Sequence, residues 1–160
     1  MAREQLADFL RQAYAVEQEG AEIYEAALRG LEDEELRDEW DRHLEWTRER
    51  AGIVRELLED LDLDPAVETP ARLAVRQLSE TFAGAMNSAR ACGVPGGVQL
   101  VAAAYVVFAE TKGDECWEGI RSLAGTLRGD EARSVRAAHE RVAKRDEQQL
   151  DYLAGLRRDL

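Results

Sequence analysis

Glu17 and Glu110 are the residues of this chain whose type and position suggest chemistry. Each lies on an otherwise apolar helical stripe, and each is followed seven positions later by an aromatic residue, Tyr24 and Trp117. A carboxylate on the apolar face of a helix is costly to bury without a partner. Two in matching places, on two helix pairs, point to a site between helices or to the remains of one. Other polar residues fall on the same inward stripes: His43, Thr47 and, at the edge, Arg50; Asp114 beside Glu110; and Asp146 with Gln149. Glu17 to Arg50 spans 33 positions and Glu110 to Gln149 spans 39, so the halves read as diverged copies of one helix hairpin. No Ser-His or Cys-His nucleophile arrangement is expected from only two histidines.

Long helices must position these groups. Only three prolines occur, at 65, 70 and 95, which leaves long stretches free of helix breakers. Periodicity predicts five helices, the first from about Arg3 to Arg29 with the stripe Leu6, Leu10, Ala13, Glu17, Ala21, Tyr24, Leu28. Gly30 is expected to end it. The second runs from about Glu34 to Leu61 through Leu36, Trp40, His43, Leu44, Thr47, Ala51, Val54, Leu58 and Leu61. Asp62 to Glu68 reads as a linker. Thr69-Pro70 reads as N-cap and first position of a helix reaching Ala91. Pro95-Gly96-Gly97 then separates it from a helix over about Gly97 to Leu127. The fifth helix follows Gly129-Asp130, with Val135, His139, Val142, Asp146, Leu150 and Leu153 inward. Four helices of this length would each extend ~40 Å. The expected fold is all-α: one domain over residues 1–160, a four-helix bundle with an additional helix in the long crossover.

Composition bounds the partners. The net charge of -12 disfavours nucleic acid and anionic membranes. The longest apolar run, Leu100 to Ala109, is too short to span a bilayer, and Met1 to Leu10 does not read as a signal peptide. A cytoplasmic protein is expected, with Cys92 and Cys116 as two buried reduced thiols. Trp40, Trp117, Tyr24 and Tyr105 are expected in the core, with His43 hydrogen-bonded to Tyr24. Val101, Ala104, Tyr105 and Phe108 point away from the Glu110 stripe. They are expected either to pack beneath the 70–91 helix or to form a homodimer interface.

The chain resembles the ferritin-like superfamily over nearly its whole length, most closely the bacterial ferritin-like stress-protein branch. The residues that carry the resemblance are Glu17-x6-Tyr24, His43-Leu44-Glu45-x-Thr47 with Leu61-Asp62-Leu63-Asp64-Pro65, Glu110-x6-Trp117, and Asp146-x-x-Gln149-Leu150-x-Tyr152-Leu153. The resemblance implies a di-iron or di-manganese site with one Glu from each of two helices and a Glu-x-x-His pair from each of the others. Glu17 and Glu110 stand at the single-helix positions. Thr47-x-x-Arg50 and Asp146-x-x-Gln149 stand where the Glu-x-x-His pairs would be, and Gly113 where some members carry a further Glu. Shifting to Glu45-x-x-Arg48 restores no histidine and turns Glu45 about 160° from the Thr47 direction at the helical period.

The expectation is therefore a vestigial site, Glu17, Thr47, Arg50, Glu110, Asp146 and Gln149, with Arg50 and Gln149 filling the old metal cavity. No cofactor is expected, and the role would be structural or binding, in a context of stress that the resemblance implies. The alternative is an altered iron or manganese site built from Glu17, Glu110, Asp114, Asp146 and His43, serving an oxidoreductase, ferroxidase or metal-storage role.

Overall fold

In the computed structural model, residues 3–156 are described, with side chains as far as Glu147. The predicted breaks fall where the chain turns. The helices are α1 Arg3–Leu28, α2 Glu34–Asp60, α3 Pro70–Ala91, α4 Gly97–Thr126 and α5 Gly129–Leu156. No strand occurs among the described residues.

The helix ends have identifiable chemistry. Asp33 caps α2, its carboxylate accepting from the Leu36 amide at 3.0 Å. Thr69 caps α3 by accepting from the Arg72 amide, and Pro70 takes the first helical position, where no backbone donor is needed. The end of α2 is closed by Asp62 with φ at +55°. The Asp62 amide donates to Glu59 O and the Leu63 amide to Leu58 O, a Schellman pair that satisfies two terminal carbonyls. Gly30 lies just beyond α1, but not in the left-handed region expected of a terminating glycine. A Cβ there would stand 2.7 Å from Val98 Cγ1 and 3.0 Å from Arg90, so Gly30 is required by the close approach of the α3–α4 turn.

Helix α1 packs on α2 and α4, and α5 packs on α2 and α4, which closes a ring of four. Successive contacts fix the directions. Glu17 meets Arg50 and Tyr24 lies beside His43, so α2 runs antiparallel to α1. Phe9 faces Gly119 and Tyr24 reaches Glu110, so α4 is also antiparallel to α1. Trp46 bonds Asp146 and Glu56 pairs with Arg141, which sets α5 antiparallel to α2. Helix α3 lies outside the ring against α1 and α4 and returns the chain along the bundle, so that α2 and α4 run parallel.

The core divides into two clusters. One, around Leu6, Leu10, Val54, Leu57, Leu58, Ile120, Val135 and Val142, fills the end where α1 begins. The other, around Ile23, Tyr24, Leu28, Trp40, Leu44, Met86, Ala102 and Val106, fills the opposite end with α3 as part of its wall. The charged residues Glu17 and Arg50 lie on the stripes between them. No helix among the described residues is long and apolar enough to cross a membrane.

Candidate functional site

Arg50 is the centre of the buried polar layer. Its side chain is 3 % exposed and Glu17 is 1 % exposed. The Arg50 Nε donates to Glu17 Oε2 at 3.1 Å, and the indole Nε1 of Trp117 donates to Glu17 Oε1 at 2.7 Å. The guanidinium continues across the layer: Nη2 lies 3.5 Å from Glu110 Oε2, and Nη1 lies 3.8 Å from Asp114 Oδ1. The hydroxyl of Tyr24 donates to Glu110 Oε1 at 2.7 Å, and His43 Nδ1 stands 3.9 Å from the same oxygen. Arg50 also lies over the ring of Trp46, 5.9 Å from its centroid, and the Trp46 indole donates to Asp146 Oδ1 at 2.7 Å.

Several sequence expectations change at this point. Tyr24 does not hydrogen-bond His43. The rings are stacked with centroids 6.0 Å apart, and the phenol is taken by Glu110 from the facing helix. The third carboxylate ion-paired to Arg50 is Asp114, 74 % exposed, whereas the hydrogen-bond donor to Asp146 is Trp46. Thr47 returns its hydroxyl to the His43 carbonyl at 2.9 Å and does not reach the charged groups through it. Gln149 lies outside the described side chains. Cys116 is buried but Cys92 is exposed, so the expectation of two buried thiols is corrected. The residue missed by sequence was Trp46. It belongs to a second α2 seam, Trp46, Arg50, Ile53, Leu57, each buried and spaced by three or four. That seam also moves Arg50 from the edge of one stripe to the middle of the layer.

Local structure makes room for the guanidinium. A Cβ at Gly113 would stand 3.2 Å from Arg50 Nη2 and 3.4 Å from Glu17 Oε1. Gly20, one turn along α1 from Glu17, admits Thr47 Cγ2 at 3.4 Å from where its own Cβ would be. The small residues on α1 and α4 thus bring three helices close around one long side chain of α2.

The electrostatics follow from burial and partner number. Burial pushes the Glu17 carboxyl up to about 7, against the opposing pull of Arg50 and the Trp117 hydrogen bond. Glu110 is also raised by burial, but His43, Arg50 and Tyr24 together outweigh this and hold it below the usual carboxylate range. Burial and the Glu110 charge drive the Tyr24 phenol far above its ordinary value, so it serves only as a donor. Burial lifts Asp114 and Asp146, and for both Arg50 acts in the opposite sense. Burial would lower Arg50, but Glu17, Glu110, Asp146 and Asp114 together raise it. Burial, with a contribution from Glu17, pushes the Cys116 thiol up to about 11. Among the described residues no buried side-chain polar atom lacks a partner, and no three His, Cys, Asp or Glu side chains are grouped to hold a metal ion.

Fold and site together define an all-helical bundle with a buried arginine–carboxylate layer. Within that class the chain belongs to the family described as Domain of unknown function (DUF892), whose model matches residues 1–110. The match takes in α1, α2, α3 and α4 as far as Glu110. No curated protein matches, and no solved structure matches.

Proposed function

We propose that this protein is a ferritin-like bundle in which an Arg50-centred charge network has replaced a di-metal centre, leaving a structural or binding protein rather than a metal-dependent catalyst. Two observations support the ferritin-like part of the reading. The long crossover carries α3 and makes α2 and α4 parallel, and Glu17 and Glu110 come together from α1 and α4.

The position of the Arg50 guanidinium carries the rest. It lies between Glu17, Glu110 and Asp114, where a cation bridging those carboxylates would sit. Arginine stays protonated at any working pH. A dication 4 Å away at an effective dielectric of about 20 would meet a repulsion of about 8 kcal/mol. The donor set is also poor for iron or manganese. Glu17 already accepts from Trp117 and Arg50, Glu110 from Tyr24, and the Thr47-x-x-Arg50 segment offers no imidazole. These residues do not fit a di-metal pair, and the neutralising charge comes from the protein itself.

Elemental analysis of protein purified without chelator tests the reading. The expected content of iron, manganese and zinc is well below one ion per chain. Near-stoichiometric metal would overturn it in favour of an altered site using Glu17, Glu110, Asp114, Asp146 or His43.

A further inference from the structure

Helix α5 is held differently from the other members of the ring. Among its described side chains the buried ones are Ala132, Val135, Ala138 and Val142. The seams of α1 and α2 bury Leu6, Leu10, Val54, Leu57 and Leu58 at the same end of the bundle. Burial free energy follows apolar area, so alanines and valines grip less firmly than leucines. Beside this seam α2 and α5 part into an open cleft of about 270 Å³, with Ile53 and Leu57 on one wall and Ala137 and Ala138 on the other.

Ion pairs supply the rest of the attachment. Residues 1–126 carry 26 acidic and 13 basic side chains, whereas residues 127–160 carry 7 and 8. Arginines of α5 reach the acidic face of α2: Arg141 pairs with Glu56 at 2.5 Å and Arg145 with Glu49 at 3.7 Å. At the start of α5, Glu131 pairs with Arg3 of α1 at 2.7 Å. Every member of these pairs is more than a third exposed, so salt screens them. One exposed pair shifts an equilibrium by up to about fivefold, which counts here because the apolar grip is small. Trp46 joins these pairs to the buried layer. Its indole donates to Asp146, and its ring centroid lies 5.7 Å from the Arg145 guanidinium and 5.9 Å from that of Arg50.

We infer that α5 is a separately opening cover, held by a thin apolar seam and salt-sensitive ion pairs, whose release bares Trp46, Ile53 and Leu57 and admits water to the Arg50 layer. The rest of the bundle keeps its packing when α5 leaves, because α1 packs on α2, α3 and α4 without it. Opening breaks the Trp46–Asp146 hydrogen bond and the α2–α5 ion pairs together, so these contacts and the backbone of α5 form one cooperative unit.

Native-state hydrogen exchange of the full chain, read by NMR, tests the proposal. After correction for intrinsic rates, the Trp46 indole N–H and the amides of residues 135–142 should share one opening equilibrium. It should exceed that of the α1 amides of residues 10–24 by about tenfold or more. Raising NaCl from ~0.02 to ~0.5 M should speed the first group about threefold or more, because the ion pairs are screened. The α1 amides should be unchanged or slower, since the same screening relieves the self-repulsion of a chain of net charge -12. Glu56→Arg should speed the first group by about fivefold, and adding Arg141→Glu should restore it, with α1 unmoved throughout. Both positions are more than half exposed, so neither substitution disturbs the core. A single opening equilibrium shared by Trp46, α5 and α1 overturns the proposal. So does a separate α5 unit that responds neither to salt nor to the charge reversal, or a Trp46 indole that exchanges independently of α5.

Discussion

Gly113 on α4 faces the guanidinium of Arg50 on α2, with 3.2 Å between Nη2 and the position its Cβ would occupy. An alanine would meet both Arg50 and Glu17, and neither can retreat without leaving a hydrogen-bond partner. Replacing a helical glycine by alanine ordinarily gains up to about 1 kcal/mol. At Gly113 overpacking of about 1–3 kcal/mol should cancel or reverse that gain. Gly84 on α3 is the comparison, because nothing lies within 4 Å of its Cβ position. Gly84→Ala should therefore raise the urea midpoint while Gly113→Ala leaves it unchanged or lower. Equal gains at both positions would show that Arg50 does not occupy the space beside Gly113.

Arg50→His should destabilise the protein by about 3–5 kcal/mol at neutral pH, because it leaves buried Glu17 and its neighbours without their cation. Acidification should reduce the loss, since protonated carboxyls no longer need the charge. Divalent manganese or zinc should restore part of the stability, because the repelling guanidinium is gone and an imidazole has been supplied. Thermal melts with and without metal, on variant and wild type, check all three statements. A variant as stable as the wild type would place Arg50 outside the network.

The helices were legible because their signals are local. Thr69-Pro70 and Pro95-Gly96-Gly97 act within one turn, and the 3.6-residue stripes are long. Glu17, Arg50 and Glu110 could be found because each interrupts an apolar seam. What remained hidden depends on how three helices rotate against one another. The Tyr24 phenol had two acceptors within reach of its stripe, and only the azimuth of α4 decides for Glu110 over His43. The choice of Asp114 as an ion-pair partner of Arg50, with Asp146 held by Trp46, depends in the same way on the placement of α5. Trp46 itself could not be found from a single stripe, because α2 packs against two neighbours and carries a seam for each. Gly30 was placed correctly as a helix end, but the contact that requires it comes from residues sixty and more positions away.

Asp62 gives a test of the α2 terminus that leaves the buried layer untouched. It holds φ +55° at the left-handed position of the Schellman pair, where a Cβ is unfavourable and aspartate is only tolerated. Asp62→Gly should stabilise the protein by about 0.5–1 kcal/mol, after the added freedom of glycine in the unfolded chain is deducted. Chemical denaturation at fixed pH measures it. A loss of stability would mean that the Asp62 side chain makes a contact worth more than the backbone strain.

The pH dependence of stability should carry the signature of Glu17. Its carboxyl is raised from 4.5 to about 7 in the folded state, so the folded protein holds a proton that the unfolded chain releases near its ordinary value. The stabilisation is fully present below the unfolded value and is lost as pH rises through about 7. The amount at stake is on the order of 3 kcal/mol. Glu110 acts in the opposite sense: lowered in the folded state, it stabilises above its unfolded value, and that contribution is lost as pH falls through its folded one. The two windows therefore lie on opposite sides of the ordinary glutamate value and can be separated. Glu17→Gln keeps an oxygen for the Trp117 indole but cannot titrate, so the decline between pH 5 and 8 should flatten while the acid limb remains. The indole N–H resonance of Trp117 gives an independent reading, since it donates directly to Glu17 at 2.7 Å. It should shift with a midpoint near 7 in the wild type and stay fixed over that range in Glu17→Gln. A wild-type stability that is flat or rising from pH 5 to 8, with no Trp117 shift, would mean that Arg50 keeps Glu17 ionised throughout and that the buried layer is a permanent ion pair.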